Sequence, residues 1–203
     1  MQRLIFIAFL FLFASFRNDE PTPYLIHKLI VQPSSTLTID GKTNVNSFRC
    51  AITQYTGRDT LIIHEGSPLR KPLFVKGKVS LQASRFDCGM QMMTNDFNTT
   101  LKSKQYPYIV IDFKSFEHLP DYSKTEDKFT GTMTISLGGV TKVVDVLCSI
   151  QTKSTGHIHL SGGRPFLFSD FNLEPPDKMM GLIKIQQELM VQFNLVLLLD
   201  NHG

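Results

Sequence analysis

The chain lacks an excess of charge of either sign: 21 Lys and Arg stand against 18 Asp and Glu, for a formal net charge of +3. The basic residues are scattered singly along strand-like segments. That is the pattern of a solvated surface rather than a phosphate-binding track, so nucleic acid is not an expected partner. Catalytic signatures are also missing. There is no Gly-x-Ser-x-Gly elbow, no His-Glu-x-x-His, no phosphate-binding glycine loop and no Cys-x-x-Cys, so neither an enzyme nor a cofactor is expected. No repeat or low-complexity tract is present, and no apolar run reaches the roughly twenty residues of a membrane-spanning helix.

The longest apolar run is Leu4 to Phe13, about half that spanning length. It follows the basic start Met1-Gln2-Arg3 and leads through Ala14 and Ser15 into polar Arg17-Asn18-Asp19-Glu20. Residues 1–16 therefore read as a removable secretory signal, with a periplasmic or secreted protein and no stable membrane span after its removal. No Cys ends the run, which argues against a bacterial lipoprotein. Export makes the three cysteines informative, because an odd set allows at most one disulfide. Cys50 and Cys148 sit on apolar phases of strands, where a thiol behaves as a small hydrophobe. Cys88 lies in a turn and can move to a partner. Cys50–Cys88 is the favoured pair, with Cys148 buried and free.

Hydrophobic residues make up 42% of the chain, enough for one core. Residues 17–34 are rich in Pro and polar side chains and read as an extended lead-in to a domain over 35–201. Within that domain, period-2 alternation dominates. Strands are expected over residues 35–40, 46–55, 60–65 together with 72–83 as one strand region, 108–118, 129–137, 140–153, 157–168 and 181–200. Over 72–83, Leu73, Val75, Val79 and Leu81 share the apolar phase. Gly138-Gly139 marks a hairpin. One segment breaks the rule. Met90, Met93, Phe97 and Leu101 fall at helical spacing, giving one amphipathic helix over about 90–104 that Pro107 stops.

About eight strands with hairpin connections and one inserted helix define an all-β class, an antiparallel sheet that closes into a barrel or folds into a sandwich. An eight-stranded barrel has an interior just wide enough for side chains or one small ligand. An outer-membrane barrel would turn its apolar phase to lipid, but here the large apolar residues form the inward set and no aromatic girdle is visible. Val196 and Leu198 make both phases of the last strand apolar, which covering by the N-terminal segment or a homodimer contact explains. His157 and His159 share a strand face, but no third ligand accompanies them and no metal is expected. Asn98-Thr99-Thr100 matches a glycosylation sequon. The cluster Met90, Met92, Met93 suits gap-filling under a helix or a pliable wall for an apolar ligand.

Several short pieces, in this order and spacing, resemble the YceI-like family in its Bacteroidetes-type form. They are Gly41 to Phe48, Asp87-Cys88-Gly89, Leu101-Lys102, Tyr106-Pro107, Ile109 to Phe113, Phe129-Thr130-Gly131, Gly139-Val140-Thr141-Lys142, Pro175-Pro176 and Gly181-Leu182-Ile183. The resemblance spans about Leu37 to Leu199 and implies a lipocalin-like barrel holding a long isoprenoid or similar amphiphilic lipid, without catalysis. The better-known branch carries an Arg-Asp-x-His-Leu type motif in its helical insertion, where this chain reads Met93-Thr94-Asn95-Asp96-Phe97. The apolar wall is then expected from Phe48, Ile52, Leu81, Ile109, Ile111, Phe113, Met133, Ile135, Val144 and Val146 of the strands. Met93, Phe97 and Leu101 join them from the helix. The alternative is a structural or interaction protein whose barrel is filled by its own side chains.

Overall fold

The computed structural model describes residues 26–52, 54–65, 71–153, 157–178 and 182–200. The segment read as a secretory signal lies outside them, as does the lead-in before Ile26. The alternating stretches become antiparallel strands, and three of the barrel's strands are broken into pairs. They are β1 (Ile26–Val31) with β2 (Thr36–Thr43), β3 (Ser47–Ile52) with β4 (Thr60–His64), and β5 (Leu73–Lys76) with β6 (Lys78–Gln82). Five continuous strands complete the eight: β7 (Tyr108–Phe116), β8 (Asp127–Leu137), β9 (Val140–Thr152), β10 (His157–Leu167) and β12 (Ile183–Leu199). The short β11 (Asp177–Lys178) pairs outside this circuit with β12. The ladder runs through β4, β5 and β6, β7, β8, β9 and β10 to β12. It closes because β12 pairs β2 along Ile185 to Asn194 and β1 along Leu197 to Leu199. Pairing with β12 covers the edges of β1 and β2 that would otherwise pair with other chains.

Two sequence expectations change here. Ile26 to Val31 is a barrel strand, paired with both β4 and β12, so this part of the expected lead-in over 17–34 belongs to the barrel. Residues 72–83 are not one strand. From Leu73 to Lys78 the chain takes five steps opposite the three from Asp112 to Ser115, and this surplus shifts the phase. Phe74 turns inward with Val79 and Leu81, while Leu73 and Val75 stay exposed on the outer face. Gly77 sits at the break because a Cβ there would lie 2.0 Å from the Phe113 carbonyl oxygen.

The helix α1 (Gln91–Thr100) is shorter than the expected 90–104. It ends because Lys102 takes a left-handed conformation (φ 53°). The Lys102 N–H then donates to the Thr99 carbonyl and the Ser103 N–H to the Asn98 carbonyl, the paired bonds of a Schellman cap. Gly138 and Gly139 both have positive φ, as a tight primed hairpin turn requires. The tip of this β8–β9 hairpin approaches Leu101, and the Tyr106 ring fills the side-chain space that Gly139 leaves empty. This contact docks the end of the helical insertion on the barrel.

The broken strands are joined at a buried corner. Tyr55, between β3 and β4, is 1% exposed and donates its hydroxyl to the Asp59 carboxylate. Asp59 Oδ2 also accepts the Ser80 N–H of β6 at 2.8 Å, and the Asp59 carbonyl accepts the Val31 N–H of β1 at 3.0 Å. The Tyr55 N–H reaches the Pro33 carbonyl at 2.9 Å. Burial pushes the Tyr55 hydroxyl well above the usual phenol range, and the Asp59 hydrogen bond adds to it. At the same corner, Ser35 Oγ accepts the Val196 N–H at 3.0 Å while the Val196 carbonyl accepts the Gln32 N–H. The β1–β2 corner thus holds Val196, on the outward phase of β12, which is 6% exposed.

A second buried polar group closes the far end of the barrel. Asp127 opens β8 and accepts the Asp121 N–H at 2.9 Å, with His118 Nε2 at 3.0 Å. Those bonds, the backbone one foremost, hold its carboxyl below the ordinary carboxylate value.

Replacing Tyr55→Phe leaves the Asp59 carboxylate without its hydroxyl donor and is expected to cost about 2 kcal/mol, read as a lower urea midpoint with an unchanged slope. The stabilisation from Asp127 is fully present above the unfolded-chain value of about 3.9 and is lost as pH falls through the lowered folded value. Urea midpoints should therefore drop steeply below about pH 4, and Asp127→Asn should flatten that drop.

Candidate ligand-binding cavity

The interior divides into two parts. Toward the β2–β3 hairpin and α1 lies a cavity of about 290 Å³, close to the lower bound of small-molecule sites. Its wall comes from Leu37 and Ile39 of β2, Ile109 and Ile111 of β7, Ile135 and Leu137 of β8, and Ile185, Leu189 and Val191 of β12. The helix lies across its mouth. Met90, Met92, Met93, Phe97 and Leu101 face the cavity, and so do Phe166, Phe168, Phe171 and Leu173 at the end of β10 and in the short 3-10 turn that follows. Met90 and Met92 are 55% and 64% exposed, and no residue of α1 is fully buried, so the helix is a cover and not a core element.

Polar side chains are few and sit on the mouth side. Thr43 and Asn46 belong to the β2–β3 hairpin, where the Thr43 hydroxyl donates to Asn46 and accepts the Val45 and Asn46 N–H groups. Asp96 and Thr100 lie one helical turn apart on α1. Among the described residues lining the cavity there is one acid and no base. Such a wall recognises an apolar body and gives little purchase to a charged one.

Cys50 also lines the cavity and forms a disulfide with Cys88. Between β3 and β6 the regular ladder is absent. One bridge takes its place, with the Ala51 and Asp87 N–H groups each donating to the other's carbonyl at 2.8 and 2.9 Å. The disulfide ties the chain entering α1 to the barrel at this seam, and Phe86 stacks on Phe97 with ring centroids 5.1 Å apart. Cys148 is buried and free; burial pushes its thiol up to about 12, so it stays protonated at neutral pH.

Of the wall residues expected from sequence, Phe48, Ile109, Ile111, Ile135, Met93, Phe97 and Leu101 line the cavity. Ile52, Leu81, Phe113, Met133 and Val146 are buried but outside its lining, and Val144 is half-buried against the core. Leu81 stands opposite Ile109 at the level of the cavity but outside its lining. For Phe113 and Met133 the reason is packing at the far end. Phe74 meets Phe113 tilted (5.5 Å) and Phe116 edge to face (4.8 Å), Phe113 meets Phe193 edge to face (5.8 Å), and Phe116 meets Phe129 tilted (4.5 Å). Gly131 and Gly162 make room for this slab. A Cβ on Gly162 would lie 2.7 Å from the Phe193 ring, and one on Gly131 would lie 3.4 Å from Phe116.

His157 and His159 sit on β10 beside Leu198 and Val196. Among the described residues no three His, Cys, Asp or Glu side chains gather in a way that could hold a metal ion. No described helix is long and apolar enough to cross a membrane. Asn98 is half-buried and donates its amide to the Thr94 carbonyl.

No family model matches the chain, and no curated protein matches its sequence. The fold is shared with solved structures. BcnA of Burkholderia cenocepacia is 16% identical, with 82% of this chain and 98% of that one aligned at a TM-score of 0.61. A polyisoprenoid-binding domain from Saccharophagus degradans is 12% identical, with 85% and 98% aligned at 0.62. A YceI protein of Campylobacter jejuni aligns less fully, with 20% identity, 64% and 74% coverage and a TM-score of 0.48. The first two alignments take in nearly the whole of those chains, so the fold of this chain is shared with BcnA and with the polyisoprenoid-binding domain.

The disulfide closes a loop of sequence separation 38. Loop-closure entropy puts the cost of opening it at about 4 kcal/mol. The double variant Cys50→Ser, Cys88→Ser should show that loss in urea unfolding. It should also show faster amide exchange in α1 than elsewhere.

Proposed function

We propose that this chain is an exported, non-catalytic lipid-binding protein that holds the apolar tail of an isoprenoid or similar amphiphile inside its barrel. The observation that carries this reading is the cavity itself: space walled by aliphatic and aromatic side chains, in a barrel whose far end is filled by buried phenylalanines, and covered by a methionine-bearing helix. Apolar burial contributes about 25 cal/mol per Å², so a tail in such a site binds without a dedicated charged partner. The fold-level likeness to a polyisoprenoid-binding domain supports the same class of ligand. The N-terminal apolar run supports export. A barrel filled entirely by its own side chains describes the far end but leaves the mouth end unaccounted for.

Protein purified from its native host, extracted with organic solvent and analysed by mass spectrometry, should yield a co-purifying amphiphile in near-stoichiometric amount. Repeated recovery of lipid-free protein contradicts the reading. Met93→Asp places a charge on the half-exposed cover rather than in the core, so it should preserve the fold and weaken binding at least about tenfold.

A further inference from the structure

The cavity ends inside the barrel. Along β7 the wall runs through Ile109 and Ile111 and stops before Phe113; along β8 it runs through Leu137 and Ile135 and stops before Met133. Along β12 it stops between Val191 and Phe193. These three blocking residues stand at one level. Phe113 is the direct cross-strand partner of Met133, the Phe113 and Phe193 rings meet edge to face at 5.8 Å, and Phe193 pairs with Leu37, a wall residue on β2. Phe113 and Met133 are 0% and 1% exposed. Behind them Phe116, Phe129 and Leu160, each 1–2% exposed, fill the bore.

We infer that Phe113, Met133 and Phe193 form a stop that sets how much of an apolar tail the barrel accepts, so the protein takes a tail segment of on the order of ten carbons. This rests on the lipid-binding reading above. The size follows from volume: about 290 Å³ holds roughly ten groups the size of a water molecule, at about 30 Å³ each. The polar side chains lie at the opposite, open end, so the tail enters first and the head group stays at the mouth. Carbons beyond the stop find no further surface. A longer tail leaves its excess outside, against the exposed Met90 and Met92.

Straight-chain primary alcohols of about six to sixteen carbons, titrated calorimetrically into the intact oxidised protein, read this out at one-methylene resolution. Each buried methylene is worth roughly fourfold in affinity. Affinity should climb at that rate to about ten carbons and stay within about threefold thereafter. Phe193→Ala should move the break outward by several carbons. Phe193→Leu, which keeps most of the packing if the alanine variant does not fold, should move it by one or two. A steady climb to sixteen carbons in the unsubstituted protein, or a break unmoved in a folded Phe193 variant, overturns the stop and leaves lipid binding standing. Absence of binding at every length overturns both.

Discussion

The barrel depends on one buried hydroxyl–carboxylate pair. Three of its eight strands are interrupted, and an interrupted strand leaves backbone groups facing inward or sideways without a ladder partner. Tyr55 and Asp59 take up those groups where the breaks meet: the Asp59 side chain holds β6 through Ser80, its carbonyl holds β1 through Val31, and the Tyr55 N–H holds the Pro33 corner. This knot ties the β1–β2 and β3–β4 corners to β6, and the pairing of β12 with β1 and β2 closes the sheet. Tyr55 is buried and Asp59 half-buried, and in such a site a satisfied polar network specifies one arrangement while a broken one is costly.

Closure leaves an interior that an eight-stranded barrel can either fill or keep open. This chain does both, and the division follows from side-chain size. The Phe193 ring uses space that a side chain on Gly162 would occupy, and a Cβ on Gly131 would lie in contact with Phe116 and the Cys148 sulfur. The slab of phenylalanines completes the core at the end where Asp127 and the 117–126 loop sit. At the other end the inward residues of β7, β8 and β12 are aliphatic, and α1 lies over the bore beside the 3-10 turn that follows β10. The cover is held by the disulfide, by Phe86 against Phe97 and by the β8–β9 hairpin, none of which crosses the cavity. The part of the molecule least anchored in the core is therefore the part that roofs the site.

Much of the fold is legible in the residues. Alternation placed β7 to β10 and β12, and Gly138-Gly139 placed a hairpin. What failed did so for identifiable reasons. Ile26 to Val31 was hidden because Pro and polar neighbours dominate its surroundings, and only pairing with β4 and β12 makes it a strand. The phase change at Gly77 comes from a close backbone approach to Phe113, which no pattern records. The helix ends on a left-handed lysine where glycine is the usual signal. The apolar wall was legible as a face but not as a depth, because alternation says which residues point inward and not which of them touch one another. One clue existed. The inward phase of β8 reads Phe129, Gly131, Met133, Ile135, Leu137, and a glycine in that series marks the place where a neighbour's ring enters.

The central claim is that the bore is open at the helix end and solid beyond Phe113 and Phe193. Crystals pressurised with xenon test it most directly, since xenon enters dry apolar cavities and is seen by its scattering. Xenon should appear between Ile111, Ile135 and Val191, with none among Phe116, Phe129 and Leu160. Xenon in the second group, or none in the first, would contradict the account.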